Sequence, residues 1–222
     1  MLQIDRIIRT RRRTIALRIE PDGSLTVRAP LRSTEKDIRP FIEQHQAWIR
    51  KTQEKVRARN LLFLEKTYTE GETFWYLGRQ YPLHLVDGAR KFLEFKEQFQ
   101  LDRRALANPQ LVFKNWYRKQ ALAVLSARVA EYAAKYGFSY KTLRITSART
   151  RWGSCSSKGT LSFPWRLVMA PLPVIDYVIV HELVHTQEHN HGVRVWQKVA
   201  AIVPDYPEKR KWLENHAPSM II

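Results

Sequence analysis

His181-Glu182-Leu183-Val184-His185-Thr186-Gln187-Glu188-His189-Asn190-His191 closes an apolar run, Val174-Ile175-Asp176-Tyr177-Val178-Ile179-Val180, which Pro171 and Pro173 introduce. Prolines followed by a long apolar stretch predict a helix beginning there. On a helix, positions i and i+4 share a face one turn apart, so His181 and His185 can present their imidazoles to one ion. Glu182, about 100° further round, can reach a water bound to that ion. A catalytic zinc site takes three protein ligands and leaves one position open for water, whose pKa falls to about 7. The stretch therefore predicts a zinc-dependent hydrolase, with Zn2+ as cofactor and Glu182 as the base that takes the proton of the metal-bound water.

The third ligand needs an argument. If the helix continued, His189 would lie about 6 Å further along the axis than His185, past an ion held by the first pair. Asn190 and Gly192 are helix-stopping residues that tolerate left-handed backbone, and a chain turning back at Asn190 brings His191 to the metal. His191 is the expectation, with a downstream carboxylate, Glu208 or Glu214, as the rival. Against coincidence stands the clustering: four of the chain's 7 histidines fall within this stretch. A purely structural zinc site would close with a fourth protein ligand, which His189 could supply only if the helix unwound early.

The rest of the chain bounds the answer. With 222 residues and 44% hydrophobic composition it can bury a substantial core. A single cysteine, Cys155, excludes an intrachain disulfide and a thiolate-rich structural zinc site. The opening residues lack the apolar stretch of a signal peptide, and no run approaches a membrane span, so the expectation is a cytoplasmic protein with no membrane partner. The net charge of +17 creates a positive field that attracts polyanions, nucleic acid among them. Residues 1–60 hold 15 Lys/Arg against 7 Asp/Glu. Strand alternation would split Arg9, Arg11, Arg12 and Arg13 between two faces, so a solvated basic surface competes evenly with polyanion binding.

Residues 13–19 alternate with period two and, through Pro21-Asp22-Gly23-Ser24, form a hairpin with Leu25–Arg28. Residues 34–57 read as helical, with Ile38, Phe41, Ile42, His45, Trp48 and Ile49 at helical spacing, and Pro40 either starting or kinking the helix. A second hairpin spans 73–86 about Gly78-Arg79, with one more strand at 91–99. Asn108-Pro109 opens a long helix, carrying Val112, Trp116, Ala123, Leu125, Val129 and Tyr132 inward and ending at Gly137. Strands at 140–148 and 159–168 flank the loop Arg151–Ser156, and short helices in 193–216 break at Pro204 and Pro207. The fold class is α+β, with an N-terminal β-rich basic region over 1–105 and a catalytic domain over 106–222.

The run Arg151-Trp152-Gly153-Ser154-Cys155-Ser156-Ser157-Lys158-Gly159, then Asp176-Tyr177 with the His-Glu segment, then Asn190-His191-Gly192 and Trp196, resembles the YgjP-like metallopeptidases, which are similar to the SprT and WLM groups of zincins. Arg13-Thr14, the Asp22-Gly23 turn, Tyr76-Leu77-Gly78 and Trp116-Tyr117-Arg118 extend the resemblance over nearly the whole chain. It implies a zincin-like metallopeptidase domain, zinc held by His181, His185 and His191, and Glu182 as general base. Pro164 departs from the pattern, where Asn is expected; lacking an N–H, it makes that strand edge-like on at least one side.

Other residues carry weaker readings. Tyr177 lies one turn before His181 and can approach the site, although a tyrosine there is more often core. Arg151 can read a substrate anion, or the loop can simply be a packed turn holding Trp152 and Cys155. Trp196 reads as packing over the histidine helix. Three functions stay in play: a metallopeptidase acting on protein or peptide, a metal-dependent nucleotide phosphoanhydride hydrolase, and a nucleic-acid-binding module with structural zinc.

Overall fold

A computed structural model describes residues 4–20, 22–62 and 66–222. The chain divides into two compact units, Met1–Leu64 and Glu65–Ile222. This division falls well before the expected boundary near residue 105, because the strands between 73 and 102 share a core with the long helix that follows them.

In the first unit, β1 (Arg6–Thr10), β2 (Ala16–Ile19) and β3 (Leu25–Pro30) form a sheet of order β1-β3-β2, with β1 parallel and β2 antiparallel to β3. The predicted hairpin is β2–β3. Asp22 closes its turn by accepting from the Ser24 N–H and hydroxyl at 2.9 and 2.7 Å. β1 falls in the arginine-rich stretch, where no apolar alternation announced it. The predicted helix is two, α1 (Glu35–Gln44) and α2 (Gln46–Leu62), separated at His45. Asp37 anchors the start of α1, accepting from the Thr34 N–H and hydroxyl, both at 2.8 Å. Pro40 neither starts nor ends α1 but lies inside it. Ile38, Ile42 and Ile49 keep one helical stripe (+4, +7) and are buried, while Trp48, off that stripe, is 47% exposed, against expectation.

In the second unit, β4 (Thr73–Tyr76), β5 (Arg79–Val86), β6 (Leu93–Phe95) and β7 (Phe99–Asp102) make a sheet of order β4-β5-β7-β6. The single strand expected at 91–99 is instead the β6–β7 hairpin, turned at Glu97 with φ 61°. The β4–β5 turn, Leu77-Gly78, has positive φ at both residues, the backbone a tight two-residue hairpin requires. Its N–H groups donate to the carbonyls of Val168 and Met169 at 3.0 and 2.9 Å. A Cβ on Gly78 would stand 2.6 Å from the Pro171 ring, so the turn seats directly against the residue that starts the histidine helix.

α3 (Pro109–Tyr136) has the expected ends: the Asn108 side chain accepts from the Leu111 N–H at 3.2 Å, and Gly137 caps in the left-handed region. Its fully inward stripe is Phe113, Tyr117, Ala121, Leu125, Val129 and Ala133. Leu125 and Val129 are inward as expected, whereas Phe113, Tyr117 and Ala133 are buried in place of their half-buried neighbours Val112, Trp116 and Tyr132, and Ala123 faces solvent. The strong aromatic contacts at its start decide this, with Phe74 and Phe113 stacked at 4.3 Å between centroids.

β8 (Thr142–Thr146), β9 (Ser154–Cys155) and β10 (Thr160–Pro164) form a third sheet of order β8-β10-β9, with β8 and β10 parallel. The 159–168 strand ends at Pro164, and residues Trp165–Met169 turn as a 3-10 segment. β9 pairs only Leu161 and Ser162, so Pro164 has a strand neighbour on one side alone, which accommodates its missing N–H.

α4 (Leu172–Val184) runs through the middle of this unit. Val174, Ile175, Tyr177, Val178, Ile179, Val180, Leu183 and Val184 are all buried on it. Burying each aliphatic side chain of this size contributes about 1.5–3 kcal/mol, which is why the apolar run forms a central rather than a surface helix. Asp176 is held in that core by a two-pronged pair with Arg128 of α3, at 2.7 and 2.5 Å. α5 (Val193–Ile202) and α6 (Tyr206–His216) complete the unit. Pro207 breaks nothing; it occupies the first turn of α6, where its N–H would be unpaired in any case. Among the described residues, no helix is long and apolar enough to cross a membrane.

Candidate metal centre

The centre is built on the last turn of α4 and on the chain that leaves it. His181 and His185 stand one turn apart, with Nε2 atoms 3.2 Å from each other. α4 stops at Val184, earlier than the stop expected at Asn190, with His185 as its cap. Thr186 is the local cause: its hydroxyl donates to the Leu183 carbonyl at 2.7 Å, and turn bonds from Thr186, Gln187 and Glu188 replace the helical ladder. The chain then folds back. The Gly192 N–H donates to the Asn190 carbonyl at 2.8 Å, so His191 is the middle of a three-residue turn. Gly192 itself is extended at φ −79°, so the left-handed freedom invoked for it is not used.

This path carries the His191 Nε2 to 3.2 Å from that of His185. One nitrogen from each of the three rings lies within 4.8 Å of the others. Two nitrogens at zinc-ligand distance on a tetrahedral ion are separated by roughly 3.3–3.4 Å, so the two measured pairs fit that donor set. The tautomers fit as well. The Nδ1 of His185 lies 2.8 Å from the Glu188 carbonyl, which can only accept, so Nδ1 carries the proton and Nε2 keeps its lone pair. Burial, then the neighbouring His185, His191 and Arg210 charges, lowers the His181 pKa to about 4, leaving that imidazole neutral. Its Nδ1 is buried and meets no acceptor among the described residues.

Glu182 is 5% exposed and faces the same cavity, which measures about 480 Å3. Burial pushes its carboxyl up to about 7, against the Arg151 charge and a hydrogen bond from the Cys155 backbone, both of which hold it down. The loop Trp152–Cys155 lies directly over it. A Cβ at Gly153 would stand 2.4 Å from Glu182 Oε1, and β9 keeps that loop in place by pairing with β10. The same burial, with Glu182 alongside, raises the Cys155 thiol above its usual range, so thiolate chemistry is disfavoured there.

The remaining predicted residues separate clearly. Tyr177 is buried on the cavity wall, its ring 6.1 Å from that of His181. Arg151 is exposed and acts on Glu182 through its charge. His189 is exposed at the cavity and outside the imidazole cluster. Glu208 is exposed, and Glu214 lines the cavity but is bound to Arg210 at 3.2 Å. Trp196 packs its ring 5.4 Å from His181 and 5.3 Å from Tyr206. Sequence reasoning missed Arg210 and the closeness of Gly153 to Glu182. No spacing signal could have found either, since both reach the site from separate elements.

The YgjP-like, metallopeptidase domain family matches residues 13–216, most of the chain. No curated protein matches the sequence. Among solved structures, the crystal structure of the metallopeptidase zymogen of Pyrococcus abyssi abylysin is similar at 17% identity, over 41% of this chain and 93% of that one, with a TM-score of 0.38.

Proposed function

The chain belongs to the YgjP-like metallopeptidase family, and from that premise we propose that it is a zinc-dependent peptidase with a zincin-like catalytic unit and Glu182 as its base. The observation that carries the reading is the convergence of three neutral-capable imidazoles beside one buried carboxylate in a single cavity. His181, His185 and His191 would hold the ion. When bound, zinc supplies Lewis acidity to the scissile carbonyl and acidity to a water. Glu182 accepts the proton of the attacking water at its carboxylate and returns it to the leaving amine. A carboxyl held near neutrality by burial is matched to that two-way transfer. Tyr177 and Trp152 wall the cavity and limit bulk water around the reacting groups.

A peptide substrate is favoured over a nucleotide by the cavity's charge. Phosphoanhydride hydrolysis needs several cations converging on the phosphates. Among the described residues that line this cavity, Arg210 is the single Arg or Lys, short of such a set. The test is Glu182→Gln, assayed on fluorogenic peptides and on nucleoside triphosphates, with metal measured on each preparation. The expected result is full metal content with peptide hydrolysis reduced at least a hundredfold. Undiminished turnover in that variant removes Glu182 from its role.

A further inference from the structure

Among the described residues that line the cavity around the imidazoles, one is a permanent cation that the hydrolytic reading leaves without a task. Arg210 projects from α6 onto the cavity wall. Its guanidinium carbon lies 6.0 Å from the Trp196 ring, which in turn lies 5.4 Å from the His181 ring. Trp196 is thus a shared neighbour of the cation and of one imidazole of the cluster. That position suits a group flanking the scissile bond rather than the carbonyl under attack.

Its present partner is weak. The contact with Glu214 is a single Nε–Oε1 approach of 3.2 Å between side chains that are 59% and 63% exposed. Exposed pairs one helical turn apart shift an equilibrium by only about twofold, so Glu214 is readily displaced. A guanidinium offers a planar fork that matches a carboxylate with two parallel hydrogen bonds, whereas Nε alone is used here. An incoming carboxylate can take the outer fork while Glu214 keeps Nε or swings away.

We propose that Arg210 is a specificity-determining residue that binds a carboxylate of the peptide substrate, with Glu214 holding the guanidinium in place until that carboxylate arrives. The proposal rests on the peptidase reading above. A carboxylate can come from an acidic side chain or from the free C-terminus of the peptide, and the chemistry of recognition is the same.

The experiment uses full-length, zinc-loaded protein carrying Glu182→Gln, so that bound peptide is not consumed. Four fluorescein-labelled peptides share one neutral sequence: free C-terminus, amidated C-terminus, amidated with one Glu, and amidated with Gln at that position. Kd is read by fluorescence anisotropy. One carboxylate-bearing peptide is expected to bind about ten- to a hundredfold tighter than its amide counterpart, and which pair shows the gap identifies the source. Adding Arg210→Gln should erase that gap while leaving the amide peptides unchanged, and Arg210→Lys should restore part of it. Glu214→Gln should tighten carboxylate binding by about twofold by removing the competitor. A purely structural Arg210 would move all four peptides together. Equal affinity for acid and amide, or a gap that survives Arg210→Gln, overturns the proposal. The peptidase reading fails separately, if protein with native Glu182 cleaves none of the four peptides that its Glu182→Gln form binds.

Discussion

Replacing Gly153 by alanine tests how tightly the loop is fitted to the base. An added Cβ would lie 2.4, 2.6 and 2.7 Å from Glu182 Oε1, Cγ and Cδ. Ordinary carbon contacts begin near 3.4 Å, so each overlap approaches an ångström. Glu182 is buried on α4, so either its carboxylate or the loop must shift. Overpacking of this kind costs about 1–3 kcal/mol, which for a unit of this size lowers Tm by roughly 2–12 °C. A displacement near 1 Å at a catalytic group costs on the order of a hundredfold in kcat. The assays are peptide hydrolysis, metal content and thermal unfolding on Gly153→Ala, on Glu182→Ala and on the double variant. Removing the Glu182 side chain empties the space the new methyl needs, so the stability loss from Gly153→Ala should shrink by about 1–2 kcal/mol in the Glu182→Ala background. Strict additivity of the two stability changes, or wild-type turnover in Gly153→Ala, would refute the argument.

Metal analysis should separate the histidines: His181→Ala, His185→Ala or His191→Ala loses most of the bound zinc, whereas His189→Ala, outside the cluster, retains about one ion per folded chain. Arg128→Ala leaves the Asp176 carboxylate in the core without its guanidinium and should destabilise by about 3 kcal/mol in chemical denaturation, the lower end of the range because Arg128 is partly exposed. A loss under about 1 kcal/mol would show that the α3–α4 pairing does not depend on that bridge. Asp102 is fully buried, and hydrogen bonds from the Arg104 side chain and N–H and from the Ala89 N–H hold its carboxyl well below the usual carboxylate range. A depressed carboxyl stabilises the fold above its unfolded pKa of about 3.9 and loses that contribution as pH falls further. Tm should therefore decline below about pH 4. Asp102→Asn should start lower at neutral pH and decline less steeply; an unchanged acid slope would remove Asp102 from that role.

The legible parts of the chain were those where local chemistry decides. Asn108-Pro109 and Gly137 bound α3 because a side-chain acceptor and a left-handed residue act on their own neighbours. The Asp22–Ser24 turn was readable for the same reason, while the second hairpin turn, expected at Gly78-Arg79, lies one residue earlier at Leu77-Gly78. Where two solutions differ only in distant contacts, the reading slipped. Leu125 and Val129 of α3 face inward as expected, but at its start Phe113 and Tyr117 replace Val112 and Trp116, because aromatics from β4 and β7 pack there. β6 and β7 merged into one expected strand because Glu97, with its positive φ, looks like any exposed strand residue. The unit boundary moved to Leu64 because sheet-to-helix packing leaves no compositional mark.

The imidazole pair and the adjacent carboxylate follow from the sequence itself, since the pitch of a helix fixes which face residues 181, 182 and 185 share. The early end of α4 was decided by side chains meeting local backbone, Thr186 on Leu183 and His185 on Glu188. What only the tertiary structure settled is everything reaching the site from elsewhere: Gly153 pressed over Glu182, Arg210 on the wall, and Glu214 turned to Arg210. Helical geometry acts over one turn and is written in spacing. Desolvation of Glu182 and the close approach of Gly153 depend on which surfaces the core forces together, and no residue carries that information alone.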